Sequence, residues 1–223
     1  MSRLTDLIDE AHEALYDDRV ADARRLLDEA RRENGRDPEV RLLEVDVLVS
    51  EDHVDEAILA AEEALEDNRQ SMIVKLRLAT LMLDALDDVH EARPHLEDLA
   101  RRLKKGEAPD ITADDAEAKA EAATDFALEV WLTLADVRGA DHDPLGALAA
   151  ADAAVALDGD DPMSRVARAA ALFDLCRLDD ADKEIAKALD RDPKSADALW
   201  LRGRLLTVRG DDVGADKAFT RAV

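Results

Sequence analysis

The sequence predicts an all-α chain made of about six stacked helical hairpins, with an inserted or extended helix between the third and the fourth. Three observations predict it. The 223 residues fall into blocks of 34 that start at Leu4, Pro38, Met72, Leu128, Pro162 and Ala196, and a fixed period of this kind is the mark of a repeat array. Each block holds two apolar patterns with helical spacing. No segment alternates apolar and polar residues over a useful length, as a strand would.

In the first helix of each block, positions one, five, eight and twelve are mostly apolar or small. Spacings of four, three and four keep these side chains on one helical face. Position five is apolar in every block: Ile8, Leu42, Leu76, Leu132, Val166 and Trp200. Position eight reads Ala11, Val45, Ala79, Ala135, Ala169 and Gly203. In the second helix, position twenty reads Ala23, Ala57, Glu91, Ala147, Ala181 and Ala215, and position twenty-seven reads Ala30, Ala64, Asp98, Ala154, Ala188 and Ala222. The third block slips by one residue, which puts Ala92 where Glu91 falls. Small side chains let helix axes approach closely. A hairpin of this size cannot bury its apolar stripe alone, so it must stack on neighbours.

Asp-Pro pairs fall at or near the expected helix starts, at Asp37-Pro38, Asp143-Pro144, Asp161-Pro162 and Asp192-Pro193. Asp caps the free amides at a helix N-terminus, and Pro fits the first helical position because its missing N–H costs nothing there. In block three, Pro94 falls inside the second helix beside the slip, which predicts a kink and the least regular part of the array. Blocks three and four are separated by roughly 21 extra residues, Glu107 to Ala127. Before them, Arg101, Arg102, Lys104 and Lys105 followed by Gly106 read as a helix stop, with a site for an acidic partner as the alternative. Thr112 with Asp115 forms a variant capping box, and the helix after it is expected from Ala113 to Arg138, merging with the first helix of block four. Segment 107–127 carries seven acids and one base, Lys119, so its outer part is expected to be solvated. It reads as an over-long helix between two three-repeat halves; the alternative is an arm that folds over a groove or docks another chain. The expected organisation is thus 1–106, 107–127 and 128–223.

This pattern resembles the tetratricopeptide repeat (TPR) family, whose 34-residue helix-turn-helix units place a large residue at position four, a small one at eight and Ala at twenty and twenty-seven. Trp131, Leu134, Ala135, Ala147 and Ala154 match in block four. Leu199, Gly203, Gly210, Ala215, Phe219 and Ala222 match in the last block, and Leu7, Ala11, Ala23, Leu27 and Ala30 in the first. Arg41, Lys75 and Arg165 depart from the pattern at the large-residue position, and Arg138 stands where a Tyr is usual. The resemblance implies a right-handed superhelical solenoid whose first helices line a groove for peptides or partner helices.

Composition narrows the partners. The formal net charge is −24, from 54 acidic and 30 basic residues, whereas a nucleic-acid face needs an excess of Lys and Arg. The same balance argues against an anionic membrane surface. No run of about 18 apolar residues exists, and the first ten residues carry charges where a signal peptide needs apolar ones, so a cytoplasmic location is expected. Asp outnumbers Glu 36 to 18 and Arg outnumbers Lys 22 to 8. Hydration in strong salt and a GC-rich genome both give such a bias, and neither bears on mechanism.

Chemistry-bearing motifs are few. His90 and His95 in HEARPH are five apart rather than four, roughly 140° around a helix, with Pro94 between them, so they read as surface residues and not as a metal site. Asp158-Gly159-Asp160-Asp161 lacks the later Glu of a calcium loop and reads as a turn and helix cap. The lone Cys176 is expected in the first helix of block five as a small buried hydrophobe. With no phosphate loop, nucleophile elbow or CxxC pair, no enzyme activity, cofactor or metal is expected.

Function is therefore expected in the groove that the resemblance implies. The positions usually offered there are Ile8, His12 and Tyr16, then Leu42, Asp46 and Val49, then Leu76, Thr80 and Leu83. Beyond the insertion they are Leu132 and Asp136, then Val166 and Phe173, then Trp200 and Arg204. The position-five residues are equally placed to close the repeats against each other, and core is the favoured reading for them. Trp200 and Tyr16 are the better contacts, because aromatics are enriched in binding hot spots. Family members that clamp a C-terminal carboxylate use basic and Asn side chains at positions occupied here by Ile8, His12, Leu43, Ile73 and Arg77, and again by Leu132, Asp136, Ala167, Asp197 and Leu201. Only Arg77 is basic, so such a clamp is not expected. The chain stops at Val223 without a polar capping helix, and Phe219 and Ala222 are expected to leave an apolar end face. The expected function is a non-catalytic scaffold for a protein or peptide partner. The alternative is a regulatory or self-association part of a larger enzyme or assembly truncated at Val223, with a homodimer through the C-terminal end.

Overall fold

A computed structural model describes residues 3–86, 88–111 and 115–223, the side chains of residues 85 and 86 excepted. Among the described residues it holds twelve α-helices and no strand. In chain order these are α1 (Arg3–Tyr16), α2 (Val20–Asn34), α3 (Pro38–Ser50), α4 (Val54–Asp67), α5 (Met72–Leu86) and α6 (Val89–Lys104). Then follow α7 (Ala116–Ala140), α8 (Pro144–Leu157), α9 (Pro162–Asp174), α10 (Leu178–Arg191), α11 (Ala196–Val208) and α12 (Asp212–Ala222). The odd-numbered helices are the first helices of the six blocks. The chain divides into two compact units, residues 1–95 and 96–223, and the divide lies one residue after Pro94. Helix α6 runs unbroken through that proline.

The small-residue columns are the crossing points of the helices. Ala11, Ala79, Ala169, Ala23, Ala57, Ala181, Ala30, Ala64, Ala154 and Ala188 are all inaccessible to solvent. At Gly203 even a methyl group would collide: an added Cβ would stand 2.5 Å from the Phe219 ring. Phe219 is thus half-buried against α11, and Ala222 is half-buried too. Between the crossings, Leu27, Leu43, Leu134 and Leu199 fill the interior, each worth about 1.5–3 kcal/mol when taken fully out of water.

Five turns between first and second helices close in one way. The fifteenth residue of the block takes a left-handed backbone: Asp18 (φ 59°), Asp52 (62°), His142 (56°), Cys176 (57°) and Gly210 (79°). The next amide then donates to the carbonyl five residues back, as Arg19 does to Ala14 (2.8 Å), His53 to Leu48 (2.9 Å) and Arg177 to Leu172 (2.9 Å). In block three the corresponding bond runs from the Asp88 amide to the Met82 carbonyl (3.0 Å), six residues back, which locates the extra residue in that turn. Everything after it is shifted by one: Ala92 and Leu99 are fully buried, while Glu91 is exposed.

Two local expectations need correction. Cys176 is neither helical nor buried; it stands two residues past the end of α9, exposed, because the turn demands a left-handed residue there. Helix α7 starts at Ala116, capped by Asp115, whose carboxylate accepts from the amides of Glu117 (2.9 Å) and Ala118 (2.8 Å). The capping role read for Thr112 and the start at Ala113 lie outside the described residues. As expected, Asp37, Asp143 and Asp161 cap helices with Pro at the first position, while Asp192-Pro193 lies near the start of α11, which begins at Ala196 under a Ser195 cap. The Asp158 carboxylate accepts from the amides of Asp160 (2.8 Å) and Asp161 (3.2 Å), making the expected turn.

The arginines that depart from the family pattern tie helices together through their charged ends. Arg41 reaches Glu44 (3.4 Å) and Asp67 (3.2 Å). Arg165 donates to the Gly159 carbonyl (2.9 Å) and to Glu184 (2.8 Å). Arg138 donates to the Gly146 carbonyl (3.1 Å) and to Glu97 (3.3 Å). Burial pushes the Glu184 carboxyl up, but hydrogen bonds from Lys187 and Arg165 outweigh it and hold the group below the usual carboxylate range.

A left-handed residue with a Cβ costs on the order of 1 kcal/mol relative to glycine. Cys176→Gly is therefore expected to raise the denaturant midpoint by about 0.5–1 kcal/mol of stability. Cys176→Ala, which keeps the Cβ, should give no comparable gain.

Candidate partner-binding face

Within each unit the first helices pack against one another, α1 on α3, α3 on α5, α7 on α9 and α9 on α11, while the second helices do not approach one another as closely. The tighter layer lies on the inner side of the curve, so each unit turns the first helices inward.

On the inner layer of residues 1–95, Ile8 and Leu76 are buried and belong to the core, while Leu42, Val49 and Thr80 are half-buried. The polar residues there satisfy one another. The Asp46 carboxylate accepts Arg77 Nη2 at 2.6 Å and lies 3.7 Å from His12 Nε2. Thr80 Oγ1 donates to the Arg77 carbonyl (3.0 Å). Tyr16, at the end of α1, is 92% exposed.

Residues 96–223 present a different inner layer. Val166 is buried, and Leu132 and Phe173 are half-buried. Trp200, at the position that is buried or half-buried in the other five repeats, is 51% exposed. The Arg204 guanidinium lies over two rings, 4.6 Å from the Phe173 centroid and 4.9 Å from that of Trp200. Asp136 on α7 is open to solvent, yet enough protein surrounds it that burial, followed by the neighbouring Asp197 charge on α11, raises its carboxyl above the usual range. Solvent access together with close crowding is what a recessed surface produces. Among the described residues, neither Asp136 nor Asp197 has a hydrogen-bond or ion-pair partner.

Sequence reasoning left Arg77 and Asp197 out of the groove candidates and met them only as clamp positions without the expected chemistry. Their spacing held the missing signal, since Asp197, Trp200 and Arg204 are three and four apart on one face of α11. The basic run before Gly106 is largely engaged within the chain: Arg101 pairs with Asp98 (3.0 Å), Arg102 with Glu107 (2.7 Å), and Lys104 Nζ stands 5.2 Å from the Trp131 ring centroid.

No family model matches the sequence, and no curated protein does. Solved structures share its fold at low identity. PilW, a widely conserved type IV pilus biogenesis factor, superposes with a TM-score of 0.77 at 15% identity, over 98% of this chain and 91% of that one. PilF of Pseudomonas aeruginosa gives 0.75 at 15%, over 96% and 88%. YrrB, a TPR protein with an unusual peptide-binding site, gives 0.62 at 19%, over 88% and 90%. The chain therefore has the tetratricopeptide-repeat fold. Among the described residues no helix is long and apolar enough to cross a membrane.

A carboxyl raised in the folded state favours folding below its unfolded value and opposes it once ionised. Asp136→Asn is thus expected to raise the thermal midpoint at pH 7. The gain should shrink as the pH falls toward the ordinary Asp value near 4, which melts across that range will check.

Proposed function

We propose that this chain is a non-catalytic scaffold that holds a segment of a protein partner along the inner layer of its first helices. The observation that carries the reading is Trp200. A large aromatic sits half in solvent on the inner layer, flanked by Phe173 and Arg204, where the other repeats place core or half-core residues. Exposed aromatics with a packed surround are the usual anchors of interfaces. The likeness to YrrB, described as carrying a peptide-binding site, and to pilus biogenesis proteins agrees with an interaction role. In this reading the arrays 1–106 and 128–223 are joined by the acidic segment 107–127, and the chain works in the cytoplasm, with no part for nucleic acid, membrane or cofactor.

A second reading, self-association through the last hairpin, has one observation in its favour. A cavity of about 310 Å³ between α11 and α12 is lined by Leu199, Leu206 and Ala218 with Arg202, Lys217 and Arg221 around them. A salt-resistant dimer in sedimentation would support it, and a monomer would remove it.

The scaffold reading is tested by affinity capture from the native cytosol with the unaltered chain and with Trp200→Ala and Tyr16→Ala. Loss of an anchoring aromatic is worth about 2 kcal/mol, or roughly thirtyfold in affinity. A captured partner whose binding survives both changes would rule out the inner layer as the site.

A further inference from the structure

We propose that the cavity between α11 and α12 takes a carboxylate from a helix of a partner protein, seated among Arg202, Lys217 and Arg221, while apolar residues of that helix cover Leu206. Arg202 points away from Trp200, two residues or about 200° around α11. This site therefore stands apart from the groove function.

The preceding hairpin shows what the cavity lacks. One 34-residue period earlier, Arg168, Leu172, Lys183, Glu184 and Lys187 stand at the positions of Arg202, Leu206, Lys217, Ala218 and Arg221. There Glu184 is buried and gathers the cations: it accepts Arg165 (2.8 Å) and Lys187 (2.8 Å) and lies 3.5 Å from Arg168 Nη1. The last hairpin repeats the cations but has Ala218 at the carboxylate's position, and a cavity of about 310 Å³ opens beside it. Among the described residues Arg202 and Lys217 have no hydrogen-bond or ion-pair partner, and Arg221 donates only to the Pro193 carbonyl (3.1 Å). Asp211, at the edge of the cavity, is engaged as the cap of α12, where it accepts the Gly214 amide (2.9 Å). A carboxylate brought from outside would complete the missing charge-assisted hydrogen bonds.

The same comparison indicates a helix as the occupant. Leu172 packs with Leu201 and Leu205, four apart on α11. Its counterpart Leu206 lines the cavity instead. A partner helix with two apolar residues four apart and an acid beside them supplies what α11 and Glu184 supply one hairpin earlier. A second copy of this chain offers no such surface: among its exposed large apolar residues, no two lie three or four apart on one helix. The net charge of −24 repels an acidic run at long range, so the cations select a single carboxylate set among apolar residues.

The test is a library of helical peptides displayed on phage, with Leu fixed at two positions four apart and the others randomised, selected against the full chain. Enrichment of Asp or Glu at one position is expected. Binding of the recovered peptides should fall about tenfold with Arg202→Gln, further with Lys217→Gln added, and should survive Trp200→Ala. Both cations are exposed, so these variants keep the fold. Ala218→Glu, which returns the carboxylate of the preceding hairpin, should occupy the cavity and abolish binding; thermal melts will verify that it folds, and if it does not, the two Gln variants decide. No enrichment, peptides without an acidic position, or acidic peptides indifferent to Arg202→Gln and Lys217→Gln would overturn the site. Peptides lost with Trp200→Ala would also overturn it while supporting the groove function. A dimer in sedimentation that Ala218→Glu dissolves would make a second copy the occupant and overturn the assignment to a partner protein.

Discussion

Close crossing of helices at small side chains is the constraint on which the other features rest. At Ala11, Ala23 and Ala30 in one hairpin, and at Ala169, Ala181 and Ala188 in another, the facing helix leaves no room for solvent. Gly203 shows the limiting case, with the Phe219 ring occupying the space of a Cβ. Crossings this tight fix the separation of the helices within a hairpin. The larger residues, Leu27 or Leu134 for example, then fill what is left and supply most of the burial free energy.

Two consequences follow for the polar residues. The turns must reverse the chain within a few residues to bring the second helix onto the first, so in five of the six blocks the fifteenth position is left-handed whatever residue stands there. Asp, His and Cys accept this conformation at some cost because the turn's hydrogen bonds and the packing beyond it over-determine it. The arginines at aromatic positions also become intelligible. Their guanidinium groups find carboxylates or carbonyls on the adjacent helix or turn, so each charged residue ties neighbouring segments together.

The two inner layers share backbone geometry and differ in chemistry. One closes its charges on itself through Asp46, Arg77 and His12. The other leaves Trp200 half in solvent under Arg204, and among the described residues Asp136 and Asp197 have no hydrogen-bond or ion-pair partner. A repeat array allows this because each hairpin contacts only its neighbours, so inner positions vary without disturbing the columns that hold the array together.

The period, the helix pairs, the buried Ala columns and the slip in block three were legible in the sequence, because each is set by spacing along a helix and helical spacing is a local property. The helix starts at or near the four Asp-Pro pairs were legible for the same reason. The exposure of Cys176 was not, since it depends on a turn conformation imposed by the packing of two helices and not by the residue. Nor was the division of position five into core, as at Ile8, Leu76 and Val166, and open surface, as at Trp200. That division depends on how successive hairpins rotate against one another. No pattern within one repeat encodes that rotation; only the packed array decides it.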